Sequence, residues 1–138
     1  MLSKKTKYGL KALSYLVKQE KKSPVLISDI SKSKNISQKY LESILLTLKK
    51  SGILSSKKGK GGGYYLLQDP EEIKISTIMR VLEGPIAMLP CVSLNYYEKC
   101  DDCVDEEQCS LSILMAEVRD STLKILENKT LANFNCGE

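Results

Sequence analysis

The sequence predicts a mainly α-helical fold with one small β-hairpin and a long C-terminal helix. Three observations predict it. Apolar residues recur at helical spacing in several separate stretches. A tip with four glycines among residues 59–63 lies between two short β-prone runs. A Gly84-Pro85 break then separates this block from a last periodic stretch at about 110–128.

Residues 4–19 are expected to form the first helix, with Leu10, Leu13, Leu16 and Val17 on one stripe. Lys21-Lys22-Ser23-Pro24 ends it. A short helix over about 27–33 buries Ile27 and Ile30. Asn35 then tolerates the left-handed conformation that a tight turn needs. Ser37 suits an N-cap, because its hydroxyl satisfies an orphan N–H at a helix start. Leu41, Ile44, Leu45 and Leu48 fall at i, i+3, i+4 and i+7 of an amphipathic helix running to Gly52, with Lys49 and Lys50 near the negative end of its dipole. Short helix, turn and longer helix make a helix-turn-helix.

The runs ILSS and YYLL around the glycine tip then form a hairpin, in this context a basic wing. A nucleotide-binding loop is the competing reading of the glycines. That motif opens a helix, whereas here they lead into the strand-like Tyr64-Tyr65-Leu66-Leu67. Ile73–Ile75 is expected to add a third short strand. Ser76 is expected to cap a helix to Glu83, with Ile75, Ile78, Met79 and Leu82 buried. The last helix carries Leu111, Leu114, Met115, Val118 and Ile125, widened by Leu123 and Leu126. Little domain remains for it to cover. Its apolar face is expected to bury against a second copy, or to fold back on the first helix of its own chain, and the two are not exclusive. The division is therefore 1–84 winged helix-turn-helix, 85–110 cysteine-rich segment and 111–138 dimerisation helix and tail.

Charge is divided along the chain. Residues 1–68 hold fifteen lysines against three acids, a balance of +12, and residues 69–138 hold six basic residues against fourteen acids, −8. A basic half suggests a polyanionic partner, although solvated lysines on ordinary helices read the same way. The start, MLSKKTKYGLKALSYLV, is basic and then apolar as a signal peptide is. Lys11 and Lys18 interrupt the run and no small-residue cleavage site follows, so a cytoplasmic protein with no membrane partner is expected. An enzyme is not expected. The chain has no histidine for base work and no nucleophile with a partner.

A helix-turn-helix offers the first turn of its second helix to the major groove of double-stranded DNA. The candidate contacts are Ser37, Gln38, Lys39, Tyr40 and Glu42. Lys39 suits guanine O6/N7 or phosphate, and Glu42 suits cytosine N4. Ser37 and Tyr40 suit phosphate oxygens, with partial burial as the alternative for Tyr40. Lys57, Lys58 and Lys60 on the wing suit phosphate contact or minor-groove entry.

Four thiols, Cys91, Cys100, Cys103 and Cys109, lie within nineteen residues, with gaps of eight, two and five. In a reducing compartment they favour a metal over disulfides. All-sulfur ligation fits zinc or an iron–sulfur cluster, and spacing does not choose between them. Thiol sensing without a metal is a further reading. Cys136, near the end, is read as a bystander.

TKYGLKAL, ISQKYLESILLTLKKSGIL and KKGKGGGYYLL together resemble the IscR-like family of winged-helix regulators, named after the iron–sulfur cluster regulator, over essentially the whole chain. The resemblance implies a homodimeric transcription regulator or repressor, held by its C-terminal helix on an imperfect palindromic operator. It implies DNA contacts at Ser37, Lys39, Tyr40, Glu42 and Lys58; the family often has Arg at the last position, and Lys lacks its planar fork. It also implies a [2Fe-2S] cluster on Cys91, Cys103 and Cys109. The family's histidine position is Ser112 here and its carboxylate position is Lys7, which leaves Cys100 as the natural fourth ligand. Glu98, Asp101, Asp102, Asp105, Glu106 and Glu107 surround the thiols with only Lys99 opposed, so a low reduction potential is expected. The same acids would equally keep a loop solvated. Zinc-binding and thiol-based regulators, an iron–sulfur carrier and a winged-helix protein–protein adaptor are the competing functions.

Overall fold

The computed structural model describes residues 2–134, leaving Cys136 outside, and these described residues fold as five α-helices and one hairpin. The first helix, α1 (Lys4–Val17), starts at Ser3, whose hydroxyl accepts from the Thr6 N–H. Its buried face carries Leu10, Leu13 and Leu16, as the periodicity predicts. Gly9 lies on that face because α4 crosses it there. A Cβ at Gly9 would stand 2.4 Å from a Leu82 methyl.

Next come α2 (Ile27–Lys34) and α3 (Gln38–Lys50). Asn35 between them is left-handed at φ 53°, and Ser37 caps α3 by accepting from the Tyr40 N–H at 3.3 Å. Both follow from residue type. Leu41, Ile44, Leu45 and Leu48 are fully buried. Burying a Leu or Ile side chain contributes about 1.5–3 kcal/mol, so this stripe alone fixes which face of α3 is left for a partner.

Strands β1 (Leu54–Lys57) and β2 (Gly63–Leu66) pair antiparallel, with Leu54 opposite Leu66 and Lys57 opposite Gly63. The hairpin is extended through an isolated bridge between Val25 and Tyr64. Gly63 permits that approach. Its φ is +145°, and a Cβ would lie 2.3 Å from the Val25 carbonyl oxygen. Gly63→Val is therefore expected to destabilise the fold by about 1–3 kcal/mol, since the clash is with backbone. Urea unfolding checks it against Gly61→Val. That site is also at positive φ, but a Cβ there meets nothing within 4 Å.

Two local expectations are corrected. Ile73–Ile75 forms no strand; Lys74 instead makes a single bridge to Thr130. Helix α4 (Ile75–Leu82) begins one residue before Ser76, with Lys74 at the N-cap and no side-chain cap bond. Ser76 is buried in the first turn instead. The helix starts early because backbone from the C-terminal end holds its entrance: the Ile75 N–H donates to the Lys129 carbonyl at 2.9 Å.

After a looped segment with a 3₁₀ turn at Pro90–Val92, α5 (Ser110–Glu127) completes the helices. It packs on α4 and on that turn. Residues 129–134 then return to the N-terminal core. The Leu131 N–H donates to the Ile73 carbonyl at 2.8 Å, and the Leu131 side chain is fully buried. Among the described residues no helix is long and apolar enough to cross a membrane.

Candidate DNA-reading surface and cysteine cavity

Ser37, Gln38 and Lys39 are exposed at the first turn of α3 and Glu42 is exposed one turn on, away from the buried stripe. Tyr40 is half-buried. Its ring meets Tyr8 of α1 edge-on, with centroids 5.7 Å apart and planes at 78°. Such a pair contributes about 0.5–1.5 kcal/mol beyond burial, so Tyr40 fixes α3 against α1 as well as bordering the exposed turn. Lys11 sits 6.0 Å above the Tyr8 ring. Lys57, Lys58 and Lys60 are all exposed on the wing. The tip is closed by the Gly62 N–H donating to the Gly59 carbonyl at 3.0 Å.

The four cysteines line one cavity of about 530 Å³, together with Leu89, Val104 and Leu111. All four are half-buried and free of disulfides. The Cys100 thiol is pushed up to about 11, first by its hydrogen bond with Cys91 and then by burial. Burial, Glu106 and Cys109 raise Cys103. Cys109 is the N-cap of α5, and its sulfur accepts from the Ser112 N–H at 3.5 Å. Among the described residues no three His, Cys, Asp or Glu side chains converge on a single point at metal-ion distance. The donor set suits a thiolate-ligated group in kind and number. Cys100 hydrogen-bonds to Cys91, and Cys103 is influenced by both Cys109 and Cys91, so the four sulfurs share one environment.

Three features of this region were missed in the sequence. The Tyr97 hydroxyl donates to Glu106 across the cysteine loop, and that bond pushes the phenol up to about 12. Arg119 of α5 reaches the Val92 carbonyl beside Cys91. Glu83, at the end of α4, accepts from the Ser3 N–H at 3.1 Å, from the Ser3 hydroxyl at 2.8 Å and from the buried Thr6 hydroxyl. None of these carries a periodic or motif signal.

The Glu83 bonds lower its pKa below the ordinary 4.5, the Thr6 hydroxyl being the largest cause. A lowered folded-state value gives stabilisation that is complete above 4.5 and is lost as pH falls through the folded value. Glu83→Gln is therefore expected to lower the melting temperature slightly at neutral pH and to shrink the loss on acidification. Thermal unfolding across the acid range checks this; an unchanged acid limb would contradict it.

Comparison with known proteins agrees with this architecture. The family described as Rrf2, iron-dependent transcriptional regulator, matches residues 2–136. An rrf2-like HTH-type transcriptional regulator of Rhodobacter capsulatus is 41% identical over 137 residues, 97% of this chain and 91% of its own length. The structure of CymR, the global cysteine regulator of B. subtilis, superposes with a TM-score of 0.77 at 30% identity, covering 96% of this chain and 94% of that one. The T. potens IscR structure gives 0.73 at 31% identity, covering 96% and 84%.

Proposed function

The chain belongs to the Rrf2 family of transcriptional regulators, and from that premise we propose a homodimer that reads a palindromic operator and answers to a thiolate-ligated group on its four cysteines. The observation that carries the DNA-reading assignment is the first turn of α3. Ser37, Gln38 and Lys39, with Glu42 one turn on, stand in solvent while the opposite face of the same helix is fully buried. Exposed hydroxyl, amide, ammonium and carboxylate groups at a helix start match base edges and phosphates. Lys57, Lys58 and Lys60 extend the contact along the backbone. The excess of +12 in residues 1–68 draws the duplex in, which an iron–sulfur carrier does not need.

A [2Fe-2S] cluster is the group favoured for Cys91, Cys100, Cys103 and Cys109, in a reducing cytoplasm. When bound, it would supply reversible electron exchange and lability to oxidants. The chain's own part is positional. Residues 84–109 join α4 to α5, and the Glu83 clasp fixes the start of that segment to the N-terminus of α1. Reordering between these fixed ends changes how α5 leaves the reading half. That alters the separation of two recognition helices that meet half-sites roughly 34 Å apart. A coupling of about 1–3 kcal/mol would change occupancy roughly 5–150-fold. The four free, half-buried thiols favour a second reading, regulation by thiol chemistry without a cluster.

Titration of an operator duplex across a salt series tests the reading surface. Lys39→Ala is expected to weaken binding and to lower the log–log salt slope by about one, the value for one lost phosphate contact. An unchanged affinity and slope for Lys39→Ala and Lys58→Ala together would move the protein to a protein–protein adaptor.

A further inference from the structure

Two of the four cysteines are attached to rigid structure and two are not. Cys109 belongs to α5 itself as its N-cap. Cys91 lies in the Pro90–Val92 turn, and this turn is pressed onto α5, with Val92 4% and Ser93 6% exposed. Cys100 and Cys103 lie on residues 94–108, most of which are exposed. The bonds that shape that loop stay within residues 90–109: the Glu98 N–H donates to the Pro90 carbonyl at 3.2 Å, the Cys103 N–H to the Cys100 carbonyl at 3.1 Å, the Tyr97 hydroxyl to Glu106, and the Cys100 thiol hydrogen-bonds to Cys91.

One polar side chain fastens the Cys91 turn. The Arg119 guanidinium donates through Nη1 to the Val92 carbonyl at 2.7 Å. The same guanidinium is oriented by Asp120, with Nε at 2.9 Å and Nη2 at 2.8 Å from one carboxylate oxygen. Its side chain is 17% exposed, whereas that of Asp120 is 66% exposed. A charged donor on a buried carbonyl makes a charge-assisted bond, stronger than a neutral one. The planar fork lets one group hold both partners, which a lysine ammonium on a flexible stem does less well.

We infer that Arg119 is the positioning residue for Cys91, fixing that thiol relative to α5 and hence relative to Cys109 at the helix start. The cavity then has a rigid half, Cys91 and Cys109, and a closing half, Cys100 and Cys103. A bound group takes its place against the first and is enclosed by the second. Arg119 also links the cysteine cavity mechanically to the middle of α5. This assignment rests on the reading of the cavity as a thiolate site, and its test separates the two.

The test begins with the full-length, reduced, metal-free protein, alkylated by iodoacetamide without oxygen and followed cysteine by cysteine by mass spectrometry. Arg119→Met is expected to raise the rate at Cys91 several-fold relative to Cys109, and Arg119→Lys to restore part of the difference. Asp120→Asn, a surface change that leaves the arginine in place, should raise it less. A merely structural role would raise all four rates together, and that result overturns the proposal, as does an unchanged Cys91-to-Cys109 ratio in both Arg119→Met and Asp120→Asn. The second arm supplies ferrous iron and sulfide, then challenges with EDTA. Arg119→Met should lose its colour several-fold faster than the parent protein. If the parent takes up no iron while Cys91 still responds to Arg119→Met, the cluster reading fails and the positioning role stands. Equal rates of colour loss in the two proteins would overturn the role toward the cluster.

Discussion

Replacing Leu114 and Val118 together by glutamate is expected to leave a folded chain that sediments as a monomer and binds the operator at least on the order of 100-fold more weakly. The reason lies in how α5 divides its apolar residues. Leu123 is buried at 7% exposure and Leu126 packs against the core, both toward the helix's own chain. Leu111, Leu114, Val118 and Ile125 remain 53%, 50%, 37% and 62% exposed. Their spacing of three, four and seven residues is that of a seam between paired helices. In the proposed homodimer the same stripe on a second copy would be its complement, as a two-fold axis requires. Holding two reading heads together raises affinity by about 10²–10⁴ over one head, and a glutamate pair on the seam removes that gain. Sedimentation velocity and duplex titration on the same preparation check both halves. A variant that stays dimeric would move the second copy to another surface.

The second large effect concerns the thiols. Protein prepared without oxygen is expected to carry iron and acid-labile sulfide in equal amounts and to be coloured. Cys91→Ser, Cys103→Ser and Cys109→Ser are each expected to abolish that colour, and Cys100→Ser to do the same. Cys100 decides the matter. If Cys100→Ser keeps the full spectrum, the fourth ligand is another group. Cys136→Ser is expected to change nothing. A colourless parent protein holding zinc would replace the cluster with a single ion. Circular dichroism on each variant distinguishes loss of metal from loss of fold.

The helix-turn-helix was legible because each part is specified locally. Asn35 takes the left-handed turn, Ser37 supplies the cap, and the Leu41–Leu48 stripe selects the buried face. The wing was legible from its glycines. What was not legible depends on contacts between distant residues. Nothing around Ser76 signals that Lys129 will hold the entrance to α4 from fifty residues further on. The apolar residues of α5 were read as one widened stripe that could face a second copy, its own chain or both, and only tertiary packing tells Leu123 from Ile125. The cysteines were recognisable as a set from their spacing. The side chains that shape their cavity, Tyr97, Glu106 and Arg119, carry no motif.

The return of residues 129–134 bears on the order in which the protein is made. Leu131 is fully buried among the residues of the N-terminal half, and losing such a side chain typically costs about 2–5 kcal/mol. That is a large share of the roughly 5–15 kcal/mol that holds a domain folded. At about 5–20 residues per second, a ribosome needs roughly 3–10 s between Leu82 and Leu131. Throughout that interval the nascent reading half lacks the side chain that closes its interior.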